Sequence, residues 1–250
     1  MSDGRLVRSA AHAAAWGVGL AAGAYSVYAA TAWLRYGRVS PGADGDRDPL
    51  LDRFMPTYEI VERHRVLVRA PACTTFKTAC DVDLQQSRIV RAIFRGRELA
   101  LAGNRDTTER PRGLLAFTTS IGWGVLAEVP GREVVVGAVT EPWKANVVFR
   151  ALPPDEFAAF KDPGYVKIAW TLRADQVGDD RSWAGTETRA TTTDAGSRAR
   201  FRRYWSIFSP GIIVIRYVLL RLVKTNAERT VNRLESTSAG NASGAPRAGG

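Results

Sequence analysis

The sequence predicts an α+β fold: a curved antiparallel sheet wrapped around one long C-terminal helix. Two observations lead there. From about Asp194 to Arg229, Phe201, Tyr204, Trp205 and Phe208 fall at i, i+3, i+4 and i+7, and Ile215 and Leu222 continue the seven-residue step. Such a helix is roughly 50 Å long, and its apolar stripe needs a surface to lie on. Between Tyr58 and Thr193, segments alternate apolar and polar residues with period two, separated by turn formers. Hairpin connections favour an antiparallel sheet, whose concave face a single long helix can cover.

Composition narrows the partners. A chain of 250 residues with 45% apolar content can bury a core. The net charge is +10, but 30 of the 35 basic residues are arginine and they are scattered along the chain. We therefore expect no nucleic acid partner, and assign the excess charge to attraction toward anionic lipid. Cys73 and Cys80 lie about 10 Å apart if their segment is helical, beyond the reach of a disulfide. No Cys/His cluster has metal spacing, so neither metal nor cofactor is expected.

The N-terminus divides into a short tail (1–9) and an apolar segment (10–36). Ala10 to Leu34 contains no Asp, Glu, Lys or Arg, which is long enough to span a bilayer. Trp33 and Tyr36 suit an interface. The expectation is a single-pass membrane anchor. The alternative is a secreted protein after signal-peptide cleavage, with Ala30-Thr31-Ala32 as the small-residue site. Arg5 and Arg8 on one side match Arg35 and Arg38 on the other, so topology is undetermined. Residues 37–53, rich in Pro, Gly and Asp, read as a linker.

The domain is expected over 54–235. Tyr58 to Ala70 reads as a strand with Ile60, Glu62, His64, Val66 and Val68 on one face. Ala72–Cys80 and Ser87–Gly103 read as helices, the second capped by Ser87. From Leu114 the chain reads as strand-like. Trp123–Val129 and Glu133–Val139 form a hairpin around Pro130-Gly131-Arg132. Asn146–Leu152 reads as a further strand and Pro153–Phe160 as a short helix. Tyr165–Arg173 and Ser182–Thr192 complete the sheet. Ser209-Pro210-Gly211 predicts one bent helix or two abutting ones. Residues 236–250 read as a disordered tail.

This order resembles the helix-grip fold of the START-like (SRPBCC, Bet v 1-like) superfamily, which includes polyketide cyclases and dehydrases. The carriers are His64-Arg65-Val66-Leu67-Val68-Arg69-Ala70-Pro71-Ala72, the hairpin from Trp123 to Thr140, and Thr186-Glu187-Thr188-Arg189 before the long helix. The resemblance covers about Tyr58 to Arg229, and is closest to bacterial members of undefined activity. It implies a deep cavity between sheet and helix for an apolar ligand, without fixing a reaction.

On that basis the expected ligand-facing residues are His64, Val66, Trp123, Trp170, Tyr204, Trp205, Phe208, Ile215 and Leu219. His64, with Glu62 on the same face, is the only candidate for proton transfer; both also fit as ordinary core and ion-pair residues. Glu187 and Arg189 form either a buried pair, if their face is inner, or surface, if the Ala/Thr face is inner. No Gly-x-Ser-x-Gly elbow or dinucleotide fingerprint occurs. Beyond Pro210, Ile213, Tyr217 and Leu220 are expected on one face, with Arg216, Arg221 and Lys224 snorkelling to head groups. The expected function is a membrane-tethered binding protein for a lipid or other apolar small molecule. The alternative is a cyclase- or dehydratase-like enzyme on a polyketide-type substrate. Oligomeric state is not readable.

Overall fold

The computed structural model describes residues 3–38, 48–103 and 110–243. The elements are α1 (Asp3–Arg35), α2 (Pro49–Asp52), β1 (Ile60–Val68), α3 (Ala72–Asp81), α4 (Arg88–Ala100), α5 (Leu114–Ser120), β2 (Gly124–Val129), β3 (Glu133–Thr140), β4 (Phe149–Arg150), α6 (Pro154–Ala159), β5 (Val166–Gln176), β6 (Ser182–Thr192) and α7 (Ala195–Ser243). The six strands form one curved sheet in the order β1-β6-β5-β3-β2, with β4 paired to the end of β3. Every pairing is antiparallel. The α+β helix-grip arrangement is therefore present, with α7 as the gripped helix.

Side-chain alternation divides the sheet into two covered faces. On the inner face Val68, Val134, Val136, Trp170, Leu172 and Ala184 pack against Leu219, Leu220, Val223 and Ala227 of α7 and against Phe76 and Ala79 of α3. On the outer face Val135, Val139 and Ala169 pack against Leu51, Phe54, Met55 and Phe157. At one end of the sheet, Ile60, Val166 and Ala190 meet Tyr36, Phe201, Tyr204 and Trp205. Each of these large side chains, fully buried, contributes about 1.5–3 kcal/mol.

Several elements differ from the sequence expectation. Asp48–Arg53 is not linker: Asp48 Oδ1 caps the amides of Leu50 and Leu51 at 3.0 and 2.9 Å, and Leu51 is buried. Residues 48–58 thereby form a strap across the outer face. Leu114–Ser120 is helical instead of extended, with Leu114 and Thr118 buried one turn apart on one side. The strand expected over Asn146–Leu152 contracts to Phe149–Arg150. α7 runs unbroken through Pro210 and continues to Ser243, past the expected start of the tail. The rest of the linker (39–47), most of the loop expected after Gly103 (104–109) and the end of the tail (244–250) lie outside the described residues.

The membrane expectation is also shifted. Among the described residues, the helix long and apolar enough to cross a membrane is the C-terminal one, Ala195–Thr237, and 28% of its apolar window is buried. Most of that window is not buried, so α7 is a candidate span by length and composition alone. The face expected to carry Ile213, Tyr217 and Leu220 does not exist as a unit. Leu220 is buried against the sheet, while Tyr217 is 61% exposed. α1 packs on the first half of α7. Tyr25 donates its hydroxyl hydrogen to the Ile207 carbonyl, and Arg202 Nε donates to the Trp33 carbonyl at 2.9 Å. α4 crosses α7 at Gly211, where a Cβ would lie 2.8 Å from Ile93 Cγ2; glycine permits the approach.

The Ala/Thr face of β6 is the inner one, so Glu187 and Arg189 point outward, yet they are not surface. The strap buries them. Arg189 is fully buried, donating to Glu187 at 2.6 Å, Asp52 at 2.5 Å and the Met55 carbonyl at 2.8 Å, and its guanidinium lies 4.6 Å from the Tyr58 ring centroid. Arg63 holds both oxygens of Glu187, at 2.9 and 3.1 Å. Removing one member of such a set leaves the others buried and unpaired. Arg189→Ala should therefore lower stability by about 3–5 kcal/mol, read from urea denaturation.

A second buried carboxyl is linked to pH. Burial, hydrogen bonding to Asp48 and its charge push Glu133 up to about 8 from 4.5, against the opposing pull of Arg173 and Arg132. The folded state therefore holds a proton that the unfolded chain releases above its ordinary value. The stability tied to this proton is fully present below pH 4.5 and is lost as pH rises through about 8. Glu133→Gln should flatten that slope and exceed the parent's stability by about 1–3 kcal/mol above pH 8, measured as unfolding free energy against pH.

Candidate functional site

The inner face carries one polar island in an apolar surround. In register, Glu62 stands opposite Thr188 and His64 opposite Thr186. Thr188 in turn stands opposite Trp170 on β5. These residues share a face because strand side chains alternate. From the other side α7 places Arg216 over Trp170, with Cζ 5.0 Å from a ring centroid, and Tyr217 edge-on to His64 at 4.9 Å. Val66, Trp123 and Leu219 belong to the apolar cluster around them.

The island is short of partners. His64 Nε2, Thr186 Oγ1 and Thr188 Oγ1 are buried without a hydrogen bond in the structure. Glu62 Oε2 lies 3.6 Å from His64 Nε2, past hydrogen-bond length. Burial pulls the Arg216 guanidinium down to about 10, against the attraction of Glu62; it stays charged at neutral pH. Unpartnered buried polar groups each cost about 1–3 kcal/mol. The set combines a guanidinium, an imidazole and two hydroxyls beside apolar walls. It can hydrogen-bond one polar group of a molecule that is otherwise apolar, and the His64–Glu62 pair can move a proton if the gap closes.

The expected ligand-facing residues fall into two groups. His64, Val66, Trp123, Trp170 and Leu219 converge on the island. Tyr204, Trp205 and Phe208 lie elsewhere, in the cluster closed by Tyr36 at the end of the sheet. Ile215 is partly buried on α7. Arg216 was expected to snorkel outward and instead lies on Trp170. Lys224 also turns inward, donating to the Leu67 carbonyl at 2.6 Å. Arg216, Thr186 and Thr188 escape sequence reasoning as site residues; a charge interrupting an apolar helix was the available signal. Side chains pack across the interface where the resemblance implies a deep cavity. Val66, Trp123, Trp170, Leu172, Leu219 and Leu220 pack across that interface, and two open clefts of about 270 and 420 Å³ lie on the outer face. Among the described residues no His/Cys/Asp/Glu group is placed to hold a metal ion.

No protein-family model matches the chain, and a search of curated proteins found no relative. Among solved structures, a hypothetical protein of Helicobacter pylori is similar at 10% identity and a TM-score of 0.37, over 76% of this chain and 99% of that one. The Zhui aromatase/cyclase of a Streptomyces species is similar at 15% identity and a TM-score of 0.26, over 69% of this chain and 95% of that one. Likeness at this level carries no chemistry, and the fold assignment rests on the strand order and helix described above.

The orphaned hydroxyls give a direct test. Thr188→Val and Thr186→Val replace a buried, unpaired oxygen by a methyl of similar shape. Each should leave the ligand-free protein as stable as the parent or more stable by about 1 kcal/mol, read from thermal or urea unfolding.

Proposed function

We propose that the chain is a membrane-tethered binding protein for a lipid or other apolar small molecule, held between the sheet and α7. The observation carrying this reading is the set of buried, unpartnered polar atoms on His64, Thr186 and Thr188 within an otherwise apolar interface. A ligand with one polar group and an apolar body supplies what both lack. Tyr217, exposed and resting on His64, is the side chain that moves to admit it.

The tether is α1. Trp16, Leu20 and Val27 are 74%, 72% and 68% exposed, within a run from Ala10 to Leu34 that has no Asp, Glu, Lys or Arg. A bilayer covers the sides of such a helix that α7 leaves free. The chain's positive charge favours an anionic lipid surface.

A second reading is a cyclase- or dehydratase-like enzyme on a polyketide-type substrate. It is favoured by the approach of Glu62 to His64 on the same face. In that reading His64 moves the proton, Glu62 orients it, and Arg216 stabilises developing negative charge.

Native mass spectrometry of the full chain, released from detergent, separates the readings. Binding predicts a co-purifying apolar molecule, reduced in His64→Ala and in a Trp170→Ala variant that still folds. An empty protein that also fails to take up fluorescent fatty acids or isoprenoids would sink the binding reading. Turnover of a polyketide-type substrate that disappears in His64→Ala would favour the enzyme.

A further inference from the structure

The outer face holds a site independent of the reading above. The cleft of about 270 Å³ lies between the strap and the end of α6. Lys167 and Thr191, opposed in register on β5 and β6, form its floor. Phe54 and Phe160 contribute apolar wall, and Lys161 stands at the rim. Lys167 is only 7% exposed. Its Nζ donates to the Ala158 carbonyl at 2.8 Å and lies 5.1 Å from the Phe157 ring centroid. That bond caps the end of α6 and uses one of three ammonium hydrogens.

No carboxylate is among the residues lining the cleft. The second charge near Lys167 is another cation: burial, then Lys161, lower the Lys167 pKa. Two ammonium groups around an acid-free cleft repel each other, and one is desolvated. An anion entering between them relieves both effects. The aromatic walls select an anion with an apolar body over a fully hydrated one. We propose that this cleft binds a small organic carboxylate. Its oxygens meet the Lys161 and Lys167 ammonium groups and the Thr191 hydroxyl, and its apolar part lies against Phe54 and Phe160.

Calorimetric titration of the full chain in non-ionic detergent tests this. The probes are benzoate, its uncharged counterpart benzamide, and inorganic phosphate. Saturable benzoate binding is expected, with benzamide and phosphate each at least about tenfold weaker. Lys161→Ala, a change at an exposed position, should keep the parent's Tm and weaken benzoate about tenfold. Lys167→Met should abolish binding; where it lowers Tm, Lys161→Ala alone decides. Lys144→Ala, at a lysine that does not line the cleft, should change nothing. The proposal is overturned by absence of saturable benzoate binding, by equal binding of benzamide or phosphate, or by benzoate affinity unchanged in Lys161→Ala. None of these outcomes bears on lipid uptake at the inner face.

Discussion

A guanidinium with no exposed surface has to be neutralised where it stands, and Arg189 sets that demand in the middle of the outer face. Glu187 answers it from the same strand, but one carboxylate shared with Arg63 is not enough. Asp52 and the Met55 carbonyl supply the remainder, and both belong to the strap. The strap must therefore cross the sheet at this point. In doing so it brings Leu51, Phe54 and Met55 down as the apolar cover of the outer face and seats Asp48 beside Glu133. The two outer clefts are the gaps that this crossing leaves on either side.

With the outer face closed, the inner face is left to α7, and the two faces differ in one informative respect. Both carry polar groups in buried positions on β1 and β6. Outside, Arg63, Glu187 and Arg189 are joined into a network with short, directed bonds. Inside, His64, Thr186 and Thr188 have no such bonds. The same strands thus contain a bonded polar set, with Arg189 Nη2 left over, and an unbonded one, back to back. Retaining two hydroxyls and an imidazole in that state opposes stability, and this contrast is what gives the inner island its functional weight.

Much of the scaffold was legible because it follows from backbone periodicity. The alternation around His64, Trp170 and Thr188 identified β1, β5 and β6, since side-chain direction in a strand has only two values, but left open which face of β6 is the inner one. The strap was missed although it carried a local signature: Asp48 before Pro49 is a capping residue followed by a proline at the first helical position. Its acidic, Pro-containing surroundings outweighed four residues of helix. Arg216 and Leu220 were misplaced for a different reason. Their orientation depends on how α7 is rotated about its axis after Pro210, which places Arg216 on Trp170 and Leu220 in the inner cluster, with residues far away in sequence. Tyr204, Trp205 and Phe208 shared a stripe with the true inner residues, yet the helix outruns the polar island, so one stripe serves two clusters.

The pairing of α1 with α7 joins positions 182 residues apart, as the bond from Tyr25 to Ile207 shows. The sheet has the same character at its edge, where β1 pairs, among the described residues, with β6 alone. During synthesis the first helix and the first strand emerge well before either partner exists. Both wait on residues beyond 181, and loop-closure entropy makes such late, distant contacts slow to form. Until β6 emerges both elements lack a partner, and until α7 follows the tyrosine-rich end of α1 still does. The final helix therefore closes α1 after β6 has closed β1: a ribosome pause or truncation before Ser182 would leave both elements without a partner, whereas one between Thr192 and Ile207 would leave α1 alone.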